Sequence, residues 1–89
     1  MDSMPVLAKF YGIVIRMLSV QSVAARFHAI YDRWELVVRI APLGIIQGDA
    51  PVRVRNMVIE WAAQHQDELL ADWERISTAQ IPLPIQPLK

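Results

Sequence analysis

Alternation is the first pattern in the chain. From Phe10 to Leu18 the positions are mostly apolar or β-branched; Ile13, Ile15 and Met17 share one face, and Val14, Arg16 and Leu18 the other. A period of two marks a strand whose side chains point alternately to the two faces of a sheet. Arg26 to Tyr31 and Trp34 to Ile40 flank Asp32-Arg33. This predicts a hairpin with a two-residue turn, because Asp tolerates the left-handed conformation such turns need. In the second arm Leu36, Val38 and Ile40 face one way, and Glu35, Val37 and Arg39 the other. Pro42 and Gly44 punctuate a further turn, after which Ile45 to Gln47 can add a short fourth strand.

The period then changes. Gly48-Asp49-Ala50-Pro51 is a helix-entry signal: Asp49 can cap free amides, and Pro51 suits the first turn, where its missing N–H costs nothing. Val54, Val58, Trp61, His65, Leu69, Trp73 and Ile76 follow at spacings of three and four, a single apolar stripe. A helix from Pro51 to about Ser77 would be about 40 Å long at 1.5 Å per residue. Strands of this size reach only roughly 20–30 Å. The distal half therefore overhangs, kinks near Gln64 to Gln66, or packs on another molecule. Glu60, Asp67, Glu68 and Glu74 lie on the opposite face and read as solvated.

The last stretch, Ile81 to Lys89, contains Pro82, Pro84 and Pro87 and is not helical, since each proline removes a donor and biases its predecessor to extended shapes. A free end is the ordinary expectation for a terminus. Ile81, Leu83, Ile85 and Leu88 argue for docking instead, on this chain or on a second subunit. The fold expectation is α+β: a three- to four-stranded antiparallel meander followed by one long C-terminal amphipathic helix and an extended Pro-rich tail. Residues 4–77 form a single domain and residues 78–89 the tail.

Composition narrows the function classes. At 89 residues only one core can form. An apolar share of 54% is high for that length and predicts that some of it lies at an interface with a second subunit or a partner. Without cysteine there is no disulfide and no thiolate metal site, which suits a reducing cytoplasm. No apolar run reaches the roughly 20 residues of a membrane span. Phe10 to Ala25 faintly resembles a signal peptide, but Arg16 interrupts its apolar centre. Met4-Pro5 has the form of a natural start, with Met1 to Ser3 an upstream start or a cloning scar. Net charge is zero, so nucleic acid is possible but not favoured. Residues 1–55 nevertheless carry seven Lys/Arg against four Asp/Glu, and residues 56–89 two against five, a polarity that favours self-association or a matching partner.

Candidate chemistry is sparse. Two histidines without cysteine cannot complete a metal site unaided, so no metal and no other cofactor is expected. His65 lies on the apolar stripe, where a hydrogen-bonded structural histidine is the plainer reading. Arg53 and Arg55 open the helix at its positive end, an arrangement that suits an anion unless nearby acids pair them. Together with Lys9, Arg16, Arg26 and Arg39 they can form a basic surface, without the interleaved aromatics of a base-reading face. Trp73, Ile76, Leu83 and Ile85 are the candidate interface residues, Trp73 because the overhanging helix carries it away from a small sheet.

Several segments resemble a known family. Met4-Pro5-Val6 with Phe10-Tyr11-Gly12-Ile13-Val14-Ile15, Phe27-His28-Ala29 with Tyr31, Glu60-Trp61-Ala62 to His65, and Asp67 to Glu74 are similar, in colinear order, to the bacterial domain of unknown function 4160 family. That family usually carries Asp-His-x-Pro-Pro-His-Phe-His before its central strand; here Gln21 to His28 keeps only Phe27 and His28 of that run. The resemblance implies a two-gene, toxin–antitoxin-like setting. The first functional expectation is therefore a small protein–protein interaction module, a homodimer with a small bacterial partner protein, and not an enzyme. The alternative is a nucleic-acid-directed effector or ribonuclease-like toxin that uses His28 and Arg26, since these side chains can move protons and hold phosphates.

Overall fold

The computed structural model describes residues 4–20 and 22–89. The upstream-start expectation for Met1 to Ser3, and Gln21 at the head of the replaced histidine-rich run, lie outside the described residues. Five strands, β1 (Val6–Phe10), β2 (Ile13–Arg16), β3 (Arg26–Tyr31), β4 (Trp34–Arg39) and β5 (Gly44–Asp49), pair antiparallel in chain order. The meander thus has five strands rather than three or four. The apolar run at Phe10 is not the start of the first strand but the end of β1. Tyr11 and Gly12 take φ of 51° and 81° and close a tight hairpin there, the paired positive φ of a type I′ turn, which matches the twist of the flanking strands. Asp32, at φ 52°, turns β3 into β4 as the sequence predicts. Each edge strand carries a bulge, with Leu7 unpaired in β1 and Ile46 in β5.

The expected single long helix is two helices, α1 (Val52–Gln64) and α2 (Gln66–Ser77). They meet at His65, whose φ of −129° and ψ of 25° leave the helical region. A straight helix over both would exceed the 34 Å longest dimension of the fold. The break, one of the three outcomes the excess length allows, lets α2 turn back onto the sheet. Gln66 Nε2 fixes it by donating to the Ile40 carbonyl at 2.8 Å. Pro51 is the N-cap of α1, and Asp49 accepts a hydrogen bond from the adjacent Ala50 N–H at 2.8 Å rather than capping the helix.

Ile13, Ile15, Met17, Phe27, Leu36 and Val38 form one fully covered sheet face beneath Val54, Val58, Trp61 and Leu69. Trp61 anchors this layer, with ring centroids 5.3 Å from Phe10 and 5.8 Å from Phe27. A buried indole needs a partner for its N–H, and Trp61 Nε1 donates to the Gln86 carbonyl at 2.7 Å. The tail is therefore extended and docked on its own chain. Ile85 is buried and donates its N–H to the Leu7 carbonyl at 2.9 Å, and the Leu83 N–H meets Asp72 Oδ1 at 2.7 Å. Among the described residues no helix is long and apolar enough to cross a membrane.

Candidate functional site

Strand pairing decides which residues share the second face of the sheet, because directly opposed residues point the same way. One row across the sheet runs Lys9, Val14, Ile30, Glu35, Asp49. The next runs Arg16, His28, Val37, Gln47, and Arg26 opposes Arg39 in a third. Neither helix covers this face. Val37 is 8% exposed yet stands apart from the main core. Val14 and Ile30 are half-buried, so the face has an apolar centre inside a charged rim.

The rim is mostly cationic, with Lys9, Arg16, Arg26 and Arg39 against Glu35 and Asp49. Each guanidinium leans on a main-chain carbonyl: Arg16 Nη1 donates to Met4 at 2.7 Å, Arg26 Nε to Ala24 at 3.0 Å and Arg39 Nε to Pro42 at 2.9 Å. These bonds position the heads, and the carbonyls carry no charge to neutralise those of Arg26 and Arg39. Arg26 and Arg39 form no ion pair with a carboxylate among the described residues. His28 lies between Arg16 and Val37 in its row, and its Nδ1 is 2.8 Å from Glu35 Oε2 on the neighbouring strand. Its side chain is only 20% exposed. The structure thus brings His28 and Arg26, the residues of the enzymatic alternative, onto one face together with three of the basic residues singled out in the sequence.

It does not bring Arg53 and Arg55 together. Two residues apart on α1, they point about 200° apart around its axis. Arg53 is exposed, and Arg55 turns toward β5, where its Nε is buried without a partner among the described residues. The two guanidiniums therefore start from separate sides of the helix.

The interface candidates also divide. Ile85 is 5% exposed and belongs to the chain's own core, so it offers no surface to a partner. Trp73 and Ile76 are half-buried against that core, because the break at His65 returns α2 to the sheet rather than letting it overhang. Leu83 remains 54% exposed. His65 contacts Glu68 Oε1 through Nδ1 at 2.6 Å and lies against Trp61 with centroids 5.4 Å apart. No group of three or more metal-ligating side chains converges among the described residues.

One residue that the sequence did not single out is central to the architecture. Asp72 is 1% exposed and accepts from both Arg75 Nη1, at 2.8 Å, and the Leu83 N–H. An acid within Ala71-Asp72-Trp73-Glu74-Arg75 reads as surface; only its place one residue before Trp73, at the margin of the apolar stripe, hinted otherwise.

The model of the domain of unknown function DUF4160 family matches residues 12–74, and the chain belongs to that family. The match takes in β2 to β5, α1 and most of α2, and leaves out β1 and the docked tail. No curated protein and no solved structure matches the chain.

Proposed function

We propose that this member of the DUF4160 family is a protein–protein interaction module whose helix-free sheet face binds an acidic protein surface. The opposition of Arg26 and Arg39 carries this reading. Like charges directly across two strands destabilise a sheet, so a carboxylate-bearing partner has repulsion to relieve as well as contacts to make. The half-buried Val14 and Ile30 supply the dehydrated middle of an interface, and the basic rim supplies steering and register. Glu35 and Asp49 in the same face fit a protein partner with charges of both signs better than a uniform phosphate backbone. Among the described residues this face includes no Phe, Tyr or Trp on which a base could stack. The two-gene setting implied by the family resemblance supplies a class of partner, a second small bacterial protein. The cysteine-free chain suits a reducing cytoplasm.

The test is gentle affinity purification from the cells that make the protein, followed by mass spectrometry, cross-link mapping and an absorbance ratio for nucleic acid. A stoichiometric protein cross-linked to residues of β3 and β4 on the open face supports the reading. Cross-links confined to the helices or tail contradict it.

The contact between His28 and Glu35 favours a second reading, a nucleic-acid-directed effector. A carboxylate at Nδ1 orients the ring and leaves Nε2 for proton transfer, while Arg16 and Arg26 lie on the same face to hold phosphate. Nuclease activity that survives rigorous purification and disappears in a folded His28→Ala variant would establish it. Undiminished activity in that variant excludes His28 as the catalytic group.

A further inference from the structure

A different surface, the free edge of β5 with the adjacent side of α1, shows three features together. β5 ends the sheet, so its outward N–H and C=O groups have no strand to pair with among the described residues. Edge strands are ordinarily blunted by Lys, Pro, inward charge or a bulge; Gly44-Ile45-Ile46-Gln47-Gly48-Asp49 has a bulge at Ile46 but neither Lys nor Pro. Its unpaired residue, Ile46, is 38% exposed. Beside this edge lies a groove of about 460 Å³ lined by Ile45, Val52, Arg55, Asn56, Ile59 and Glu60. The five α1 residues follow spacings of three and four, a second stripe distinct from the core stripe of Val54, Val58 and Trp61. Val52 on this stripe is 60% exposed. The Arg55 Nε is buried there without an acceptor, an arrangement that ordinarily costs free energy unless a partner supplies one.

We propose that a second copy of this chain occupies this groove, with β5 pairing antiparallel to β5 across a two-fold axis. The surface is self-complementary in the way such an axis requires, where residue i meets j and j meets i. Arg55 and Glu60 line the same groove with opposite charge, and neither forms an ion pair among the described residues. Antiparallel α1 helices place Arg55 of each copy toward Glu60 of the other, while Val52 and Ile59 cover one another. Pairing of β5 satisfies the open edge and continues the sheet through the dimer. This proposal is independent of the acidic-partner reading, since β5 and α1 lie at one end of the sheet and the open face keeps its basic rim in the dimer.

Sedimentation equilibrium of the full chain over a range of concentrations tests it. The wild-type chain is expected to show a monomer–dimer equilibrium. Arg55→Glu and Glu60→Arg should each weaken dimerisation by at least about tenfold, since each variant sets like charges against one another twice across the axis. An equimolar mixture of the two variants restores both opposite-charge contacts and should dimerise as the wild type does. A wild-type monomer throughout, a dimer indifferent to both substitutions, or a mixture that fails to recover overturns the proposal. Amide exchange in the unsubstituted chain gives a second reading that does not depend on the variants folding. Amides of β5 should gain protection as dimer forms, and unchanged exchange there on dimerisation overturns the assignment.

Discussion

Arg26 on β3 stands directly opposite Arg39 on β4, on the sheet face that no helix covers, and no carboxylate pairs with either among the described residues. Cross-strand like charges are unfavourable, and the partial exposure of these heads keeps the effect small. Replacing Arg39 with Glu converts repulsion to attraction. Arg39→Glu is therefore expected to raise the unfolding free energy by about 0.5 kcal/mol while weakening partner binding. Urea denaturation alongside a binding measurement checks both signs. A variant that loses stability and binding together would make Arg39 a structural residue instead.

Asp72 holds the tail. Its buried Oδ1 accepts the Leu83 N–H and Arg75, and its Oδ2 has no partner among the described residues. Asp72→Ala strands the Leu83 donor and is expected to cost about 2–3 kcal/mol, read by denaturation. Asp72→Asn keeps an acceptor for Leu83 and should cost less. Faster amide exchange at Leu83 and Ile85 should accompany the alanine variant. Unchanged exchange at both would show that the tail does not depend on Asp72.

Ala79 closes α2 in the left-handed region at φ 62°, with the Gln80 N–H on the Arg75 carbonyl at 2.7 Å and the Ala79 N–H on Ile76 at 3.1 Å. This is the hydrogen-bond pattern of a Schellman cap, where Gly is the usual residue. Ala79→Gly is expected to stabilise the chain by about 0.5–1 kcal/mol. A lower Tm in that variant would contradict the assigned cap.

Gly48 is irreplaceable for a different reason. At φ 90°, a Cβ there would overlap the carbonyl oxygen of Glu35 on the paired strand β4. The nearest atoms are all β4 backbone, of Glu35 and Leu36, so nothing there can shift cheaply. Gly48→Ala should lose more than about 2 kcal/mol, measurable as a fall in the denaturation midpoint.

What the sequence showed and hid follows from the range of the forces involved. The Asp32-Arg33 hairpin, the buried set Ile13, Ile15 and Met17, and the helical stripe through Val58, Trp61 and Leu69 all rest on local periodicity, and all are present. The Tyr11-Gly12 turn is hard to read because Tyr rarely adopts positive φ, so the run from Phe10 to Leu18 reads as one strand and Val6 to Lys9 goes unassigned. The break at His65 has no Gly or Pro to announce it; only the excess helix length did. The apolar tail residues raise docking, but its seat on this chain and the role of Asp72 are illegible, because the bonds that hold the tail join residues 11 to 78 positions apart, Leu83 to Asp72, Trp61 to Gln86 and Ile85 to Leu7. The open basic face needed register, since Lys9, Arg16, Arg26, His28 and Arg39 belong to four strands whose alignment no composition reveals.

The most direct measurement of the proposed function is parallel capture from native cells with the wild-type chain and an Arg26→Glu/Arg39→Glu variant shown to be folded. Binding through the open sheet face predicts a stoichiometric acidic protein on the wild type, largely lost from the variant, with weaker capture as salt rises. Equal recovery of the same protein on both chains, or nucleic acid alone on the wild type, would contradict it.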